Sequence, residues 1–182
     1  MNIYLVRHGE AAARWHESDD PGLSARGRQQ AAEAARLLQE LIEPGVRLVS
    51  SPLLRARETA RPLAQALETE VAIAERFREI PTPVELTDRQ TWLGKIARQT
   101  WSEQAGMVRD WRLGLLEQLR QIREPTVIFT HFMVLNVIVG DLNADDRVVC
   151  FLPDNASITT LRLEGDKLQL AELGRQFRTE VR

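Results

Sequence analysis

Short apolar runs alternate with helical patterns in the first third of the chain. Residues 3–6 and 46–50 are runs of β-favouring residues, with the length typical of buried strands. Between them, apolar residues recur at helical spacing after Ser24, a residue type preferred at a helix N-cap. Ser51 and Pro52 predict the start of a second helix, with a capping hydroxyl and a proline at the first helical position. This β-α-β-α order predicts an α/β fold, a three-layer sandwich with a mostly parallel central sheet flanked by helices.

The end of the chain contains three further predicted strands. Residues 126–130 form an apolar run that predicts a buried strand, and an apolar helix is expected from about 133 to 139. Two late strands are expected at about 157–163 and 168–173. A Gly-Asp pair at 165–166 is a turn signal that joins them as a hairpin. The late part of the chain therefore returns to the strand-and-helix pattern of the first third.

Residues from about 83 to 123 have a different character. Two helices are predicted here, and the segment carries Trp92, Trp101 and Trp111. The tryptophans are nine and ten residues apart, so they do not share one helical face. We expect them to pack the segment across the edge or mouth of the sheet. The prediction is a single domain over residues 1–182 with a helical insertion at about 83–123.

Charge and cysteine content exclude several classes of function. The 182 residues carry a formal net charge of -2, from 24 basic and 26 acidic side chains, so there is no overall basic footprint for nucleic acid. The single cysteine, Cys150, cannot form an intramolecular disulfide and fits a reducing compartment. The apolar runs at 3–6 and 126–140 are too short for a signal peptide's hydrophobic segment and for a membrane span, respectively. We therefore expect a soluble, cytoplasmic protein with no nucleic-acid or membrane partner.

Polar side chains follow three of the predicted strands directly. Arg7 and His8 follow the first strand, Ser51 follows the second, and His131 follows the strand at 126–130. Arg55 lies in the first turn of the next helix, where its guanidinium can reach back to the same edge. In open α/β sheets, ligands bind beyond the carboxyl ends of the strands. We therefore expect these side chains to converge, although they are far apart in the sequence.

These residue types suit the binding and transfer of a phosphoryl group. Two arginines chelate a phosphate monoester dianion through planar hydrogen bonds, and helix N-termini add backbone donors. A neutral histidine attacks phosphorus through one ring nitrogen when an acceptor, commonly a backbone carbonyl, fixes the other. A second histidine donates to the phosphoryl oxygens, and a carboxylic acid protonates the departing alkoxide. No pair of histidines has the close helical spacing of a metal site, so no metal is expected.

The order of these motifs resembles that of the histidine phosphatase superfamily, also called phosphoglycerate mutase-like. Arg7, His8, Gly9 and Glu10 resemble the signature of that superfamily. Five further stretches are similar to superfamily segments in the same order: residues 23–31, 51–60, 77–80, 130–131 and 155–158. The resemblance covers nearly the whole chain except the segment at about 83–123.

The resemblance implies a phosphoglycerate mutase-like fold and roles for five residues. His8 is implied as the nucleophile, with Arg7 and Arg55 gripping the phosphate. His131 is implied to bind and stabilise the phosphoryl group during transfer, and Glu79 to protonate the leaving oxygen. Water then hydrolyses the phosphohistidine, with no metal or organic cofactor.

Other residues near the implied site are open to more than one interpretation. Glu85 and Asp88 are close to Glu79 in the sequence and are alternatives for the acid. Five residues are candidates to line the pocket: Gly9, Glu10, Arg14, Phe132 and Asn155.

At three positions the chain departs from residues usual in the superfamily. Ala11 stands where a small hydroxyl residue is usual, Arg14 where an asparagine is common, and Phe132 where a glycine follows the second histidine. A bulky side chain at 132 would narrow the pocket or alter the approach of the backbone. These departures put substrate identity and efficiency in doubt more than reaction class.

The favoured function is a metal-independent phosphatase that acts on a phosphorylated small molecule. The chain is short, whereas mutases of the superfamily generally carry longer elaborations. An insertion at 83–123 that covers the pocket would exclude a protein loop, so a small metabolite ester is favoured over a phosphoprotein. The alternatives are a phosphoglycerate mutase, a protein phosphohistidine phosphatase, and a non-catalytic phosphate-binding module of the same fold.

Overall fold

The computed structural model describes residues 1–13 and 17–177, and within them the chain forms a six-stranded sheet. The strands are β1 (Asn2–Arg7), β2 (Arg47–Ser50), β3 (Val71–Ile73), β4 (Thr126–Thr130), β5 (Ile158–Glu164) and β6 (Lys167–Glu172). Their order is β3-β2-β4-β1-β5-β6; the first four strands are parallel, and the β1–β5 and β5–β6 pairings are antiparallel. The predicted α/β fold with a mostly parallel central sheet is confirmed.

Helices cover the sheet. The α-helices among the described residues are α1 (Ala25–Leu41), α2 (Leu54–Ala66), α3 (Arg89–Ile96), α4 (Gly106–Arg120) and α5 (Phe132–Leu142). Short 3₁₀ turns form at Glu75–Phe77, Leu86–Asp88 and Trp101–Glu103. Over residues 1–13 and 17–177, none of the helices combines the length and apolarity needed to cross a lipid bilayer.

The two predicted helix starts have different outcomes. Ser24 is the N-cap of α1, and its Oγ accepts a hydrogen bond from the Gly27 N–H at 2.9 Å, as predicted. The predicted start of α2 at Ser51 and Pro52 is wrong, because the helix begins at Leu54. The Ser51 hydroxyl is instead 2.6 Å from the imidazole Nε2 of His131. The same oxygen accepts a hydrogen bond from the Leu53 N–H at 3.3 Å, so Ser51 joins a distant histidine to the turn before α2.

Two buried apolar clusters lie on opposite faces of the sheet. Side chains alternate along β1, so Ile3 and Leu5 join one cluster while Tyr4 and Val6 join the other. The first cluster packs against α4 and α5, and the second packs against α1 and α2. The architecture is therefore three layers, helix on sheet on helix.

The segment at 83–123 contributes to the apolar core and to the wall of a cavity at one edge of the sheet. Its helix α4 buries Leu115 and Leu119 in the first apolar cluster. Trp101 packs against Trp111, with ring centroids 6.3 Å apart. In α3, Leu93 lines a cavity at the carboxyl ends of the parallel strands. This segment is therefore in contact with both the sheet and the space where a ligand is expected.

Candidate active site

A cavity of about 450 Å³ lies where the parallel strands end. Arg7 at the end of β1 pairs with Thr130 of β4, and Ser50 at the end of β2 pairs with Phe129, so the three strands finish at one edge. The cavity is lined by Arg7, His8, Glu10, Ala11, Ala13, Pro21, Arg55, Glu79, Leu93, Phe132, Met133, Asn155 and Phe177. Its volume is in the range typical of small-molecule sites.

His8 is held as a buried, neutral imidazole. Its Nδ1 lies 2.7 Å from the carbonyl oxygen of Gly9, so the ring proton is on Nδ1 and is donated to that carbonyl. The Arg55 Nε–H donates to the other nitrogen, Nε2, at 3.2 Å. Burial, followed by the positive charges of Arg55 and Arg7, lowers the pKa of His8 well below its ordinary value, against the raising effect of the Gly9 hydrogen bond. At neutral pH, Nε2 therefore carries a free-base lone pair.

The two predicted arginines flank His8. Arg55 is only 4% exposed, and its Nη1 lies 3.9 Å from the Asp20 carboxylate. Arg7 donates from Nη1 to the Pro153 carbonyl at 2.7 Å. Burial lowers the pKa of both guanidinium groups, and Glu79 opposes that effect in each case. Both groups nevertheless stay charged at neutral pH, because an arginine pKa lies far above it.

His131 is completely buried beside His8. The two ring centroids are 5.2 Å apart, and the His131 Nε2 is 2.6 Å from the Ser51 Oγ. His131 does not line the cavity within the described part of the chain. Burial, then the charge of Arg55, lowers the pKa of His131 well below its ordinary value, so this ring is also neutral. A Ser51 hydroxyl that donates to Nε2 leaves the ring proton on Nδ1.

Three buried nitrogens at this site have no hydrogen-bond acceptor among the described residues: Arg7 Nε, Arg55 Nη1 and His131 Nδ1. Buried polar groups in native proteins are almost always hydrogen-bonded, so buried nitrogens without an acceptor indicate a missing partner. The three nitrogens belong to the side chains that surround His8, and two of them are cationic. This set of donors matches an acceptor-rich anion such as a phosphoryl group.

Glu79 has the carboxyl group that faces the two arginines. Its Oε1 accepts hydrogen bonds from the backbone N–H groups of Ile80 at 3.0 Å and Met133 at 3.2 Å. Burial raises the pKa of this carboxyl above its ordinary value, although these two hydrogen bonds and both arginines oppose the rise. Glu79 lines the cavity, whereas the alternatives Glu85 and Asp88 are exposed and lie outside its lining.

The remaining candidates for pocket lining differ in position. Glu10, Phe132 and Asn155 line the cavity, and the Asn155 Nδ2 donates to the His8 carbonyl at 3.2 Å. The Arg7 guanidinium lies 5.3 Å from the centroid of the Phe132 ring. Gly9 is buried and is not part of the cavity wall. Arg14 lies outside the described residues.

Two contacts that support the site, made by Thr59 and Ser51, were not predicted. Thr59 joins the first motif to α2, because its Oγ1 accepts from the Gly9 N–H at 3.0 Å and donates to the Arg55 carbonyl at 2.7 Å. Its position four residues after Arg55, on the same helical face, was the available signal. Ser51 was expected at this edge of the sheet but was interpreted as a helix cap, and its contact with His131 was not predicted.

Replacing Gly9 by alanine is expected to destabilise the fold and lower any His8-dependent rate. A Cβ at Gly9 would stand 2.5 Å from the Gly27 carbonyl oxygen, so the backbone beside His8 must shift. We expect a loss of about 1–3 kcal/mol in the free energy of unfolding, measured by urea denaturation. The control is Gly94→Ala in α3, where a Cβ meets no atom within 4 Å. Equal stability of the two variants would contradict the close approach at Gly9.

Replacing Ser51 by alanine is expected to lower kcat about 10- to 100-fold with little change in KM. The variant removes the hydrogen bond to His131 Nε2 and with it the control of which ring nitrogen carries the proton. The ¹⁵N chemical shifts of His131 report that change directly. The control is Ser50→Ala, because the Ser50 hydroxyl contacts only a backbone carbonyl among its described partners. Unchanged rate and ¹⁵N shifts in Ser51→Ala would remove this role.

Comparison with known proteins adds an independent line of evidence. A family model of the histidine phosphatase superfamily (branch 1) matches residues 3–176. A protein of Escherichia fergusonii named probable phosphoglycerate mutase GpmB is 39% identical over 85 residues, which are 44% of this chain and 38% of that protein. The match thus spans well under half the length of such curated relatives.

Solved structures agree over nearly the whole chain. A mycobacterial glucosyl-3-phosphoglycerate phosphatase in complex with VO3 superposes with a TM-score of 0.71 at 25% identity, covering 94% of this chain and 97% of that one. A phosphoserine phosphatase of Entamoeba histolytica in complex with 3-phosphoglyceric acid gives a TM-score of 0.73 at 22% identity, covering 96% and 97% of the two chains. At such identities the likeness concerns the fold.

Proposed function

The chain belongs to the histidine phosphatase superfamily, branch 1, and from that membership we propose that it is a metal-independent phosphatase that hydrolyses phosphomonoesters through a phosphohistidine on His8. The observation that carries the proposal is the state of the His8 ring. Its Nδ1–H is tied to the Gly9 carbonyl at 2.7 Å, and burial keeps the ring neutral. A neutral Nε2 between two arginines is a nucleophile beside an anion site.

In the first proposed step, the phosphate dianion binds between Arg7 and Arg55. The hydrogen bond from Arg55 to His8 Nε2 is exchanged for one to a phosphate oxygen, which frees the lone pair of Nε2. Nε2 attacks phosphorus, the N–P bond forms, and the bond from phosphorus to the ester oxygen breaks. The charge that develops on the phosphoryl oxygens is stabilised by the arginines and by a hydrogen bond donated from the His131 ring N–H.

Glu79 is the proposed general acid and base. Its raised pKa favours the protonated carboxyl, which gives its proton to the departing alkoxide, so the product leaves as a neutral alcohol. A water molecule then gives a proton back to Glu79 as its oxygen attacks phosphorus. The N–P bond breaks, inorganic phosphate is released, and both His8 and Glu79 return to their starting states.

The experiment that tests the proposal follows phosphate release with excess chelator present. The substrates are p-nitrophenyl phosphate, a panel of sugar phosphates and a phosphohistidine-containing protein. We expect release from the small esters by the wild-type protein that His8→Ala lacks, and ³²P trapped on His8 after an acid-free quench. Release that chelator abolishes would refute the metal-free route. Release that His8→Ala retains would refute the nucleophile, and release by neither protein would favour a non-catalytic phosphate-binding module.

The pH dependence provides a test of Glu79. Above its raised pKa the carboxyl is an anion and holds no proton for the leaving group, so kcat/KM should fall as pH rises through that pKa. On the acid side the rate should fall only well below the ordinary histidine pKa, where His8 becomes protonated. We expect Glu79→Gln to remove the alkaline limb and lower kcat about 10²- to 10⁴-fold for alkyl phosphates.

Leaving-group dependence separates this role of Glu79 from a structural one. A p-nitrophenolate leaves without a proton, so Glu79→Gln should lose far less kcat/KM, which reports formation of the phosphohistidine, on that ester than on an alkyl ester. The controls are Glu85→Gln and Asp88→Asn, which alter exposed carboxyls outside the cavity. Equal losses on both esters, or a lost alkaline limb in either control, would reassign the acid.

The second candidate function is a phosphoglycerate mutase. It is favoured by the name of the matching Escherichia proteins, although the match covers 38% of their length. The two functions separate in a coupled assay with 3-phosphoglycerate and a bisphosphoglycerate primer. Isomerisation faster than phosphate release would favour the mutase. We expect release without isomerisation.

Cellular location and substrate size are parts of the same proposal. The single cysteine, Cys150, fits a reducing compartment, which supports a cytoplasmic location. The cavity's volume of about 450 Å³ suits a small phosphorylated molecule, with a phosphoprotein less favoured.

A further inference from the structure

Beyond the phosphate-facing groups, most of the described cavity wall is apolar, with Glu10 and Asn155 as its polar members. Seven side chains form this apolar wall: Ala11, Ala13, Pro21, Leu93, Phe132, Met133 and Phe177. They come from four separate parts of the chain, namely the loop after β1, the helix α3, the start of α5, and the segment after β6. The part of a substrate that extends away from His8 therefore meets hydrocarbon.

The charges that line the cavity are concentrated at its phosphate end. Among the described residues, Arg7 and Arg55 are the cations in the wall, and both flank His8. A phosphate dianion engages these two charges. The remaining ionisable groups in the wall are the carboxyls of Glu10 and Glu79. Within the described part of the wall, a second anionic group on the substrate would meet hydrocarbon, a carboxyl group or the Asn155 amide, and a buried charge without a charged partner is costly.

Two residues of the apolar wall are well suited to select the leaving group. Leu93 projects from α3 into the cavity, and it is partly exposed. Phe177, in the segment after β6, also lines the cavity and is 38% exposed, so its ring is open to a bound molecule. The described hydrogen bonds of His8 and Arg55 and the Phe132 ring contact of Arg7 involve neither residue. Selectivity is thus separable from the phosphate grip.

We propose that the alcohol part of the substrate is an uncharged alkyl or aryl group, which the apolar wall selects over alcohols that carry a carboxylate or a second phosphate. The inference deepens the proposed phosphatase function and rests on it for the reaction. Its recognition component, however, concerns binding alone. Binding can therefore be measured without turnover.

Binding is tested by calorimetry at pH 8 with three phosphonates, which the protein cannot hydrolyse at an ester bond. They are methylphosphonate, hexylphosphonate, and 6-phosphonohexanoate, in which a carboxylate replaces the terminal methyl of the hexyl chain. We expect hexylphosphonate to bind at least about 10-fold more tightly than methylphosphonate, since each buried methylene contributes up to about fourfold. It should also bind at least about 10-fold more tightly than 6-phosphonohexanoate. Equal or tighter binding of the carboxylate compound would overturn the proposal.

Variants test whether the apolar wall of the cavity is what selects the alcohol part of the substrate. Leu93→Arg adds a cation beside the tail and should shrink or invert the preference for hexylphosphonate over 6-phosphonohexanoate. Phe177→Ala, which adds no charge, should weaken hexylphosphonate binding and leave methylphosphonate binding unchanged. The control is Leu113→Arg on α4, a leucine that is 54% exposed and outside the cavity. An unchanged preference in Leu93→Arg together with unchanged hexylphosphonate binding in Phe177→Ala would overturn the assignment to this wall.

Turnover separates this inference from the proposed function. Hexyl phosphate and 6-phosphooxyhexanoate have leaving alcohols of nearly equal pKa, so a difference in kcat/KM reports recognition rather than leaving-group chemistry. We expect hexyl phosphate to be hydrolysed at least about 10-fold more efficiently. A phosphonate preference without His8-dependent hydrolysis would refute the phosphatase and leave the apolar selection standing. His8-dependent hydrolysis that favours the carboxylate ester would do the reverse.

Discussion

Replacement of His8 by alanine is expected to lower kcat by at least about 10⁴-fold, the scale on which enzymes lose rate when a covalent nucleophile is removed. In the proposed mechanism this side chain supplies the nitrogen that forms the N–P bond, and among the described residues the other histidine, His131, is not placed to take over that step. His131 is 5.2 Å away between ring centroids, but its Nε2 is bonded to Ser51. The measurement is single-turnover phosphate release, which separates chemistry from product release.

The same variant should fold but lose some stability. His8 is 8% exposed, and its removal leaves the Gly9 carbonyl without its ring donor and Arg55 Nε without its acceptor. We expect a cost of about 1–3 kcal/mol in the free energy of unfolding. Phosphate should still stabilise the variant against heat, because Arg7 and Arg55 remain. A folded His8→Ala protein with wild-type turnover would refute the assignment of the nucleophile.

Strands were predictable where both of their faces are buried. Each apolar side chain of β1 and β4 lies in one or the other of the two buried clusters. The hydrophobicity of the sequence alone therefore predicts these two strands. β3 was missed because it is a three-residue edge strand in which Ala72 and Ile73 are exposed. Such a strand forms because β2 offers free hydrogen-bonding groups, and that condition is set by the tertiary fold.

The chemical part of the site was predictable, and its walls were not. His8, Arg7 and Arg55 follow from the rule that strand ends converge at one edge of a parallel sheet. Leu93 and Phe177 lie in segments without a motif and reach the cavity through the packing of whole elements. The Ser51–His131 contact likewise joins residues 80 positions apart. A sequence pattern predicts chemistry that depends on residue type and local order. It says little about which surfaces pack together in the folded protein.

Replacement of Arg55 by alanine is expected to combine a large loss of rate with a shifted pH profile. Arg55 donates to His8 Nε2 in the free protein and carries one of the two charges proposed to grip the phosphate. Loss of such a preorganised donor costs about 10²- to 10³-fold in kcat. KM should rise as well, because the charge attracts the substrate dianion before the reaction. Steady-state kinetics with p-nitrophenyl phosphate measure both effects.

The pH profile distinguishes an electrostatic role for Arg55 from a purely structural one. After burial, the charge of Arg55 is the largest influence that lowers the pKa of both His8 and His131. Without that charge both pKa values should rise, so His8 becomes protonated, and non-nucleophilic, at a higher pH than in the wild type. The acid limb of kcat/KM should therefore move towards neutral pH in Arg55→Ala. Arg55→Lys, which keeps the charge but not the planar fork, should retain more of the wild-type acid limb while still losing rate.

A neighbouring arginine supplies the matched control. Arg57 lies two residues further along α2, is exposed, and does not line the cavity. Arg57→Ala removes the same charge from the same helix, so its kinetics report any general effect of net charge or helix stability. We expect wild-type kcat and an unmoved acid limb in that variant. If Arg57→Ala shifts the acid limb as far as Arg55→Ala does, the depressed pKa of His8 reflects the summed charge of the helix. If only Arg55→Ala shifts it, one guanidinium both binds the phosphate and keeps the nucleophile unprotonated, which couples binding to reactivity within a single side chain.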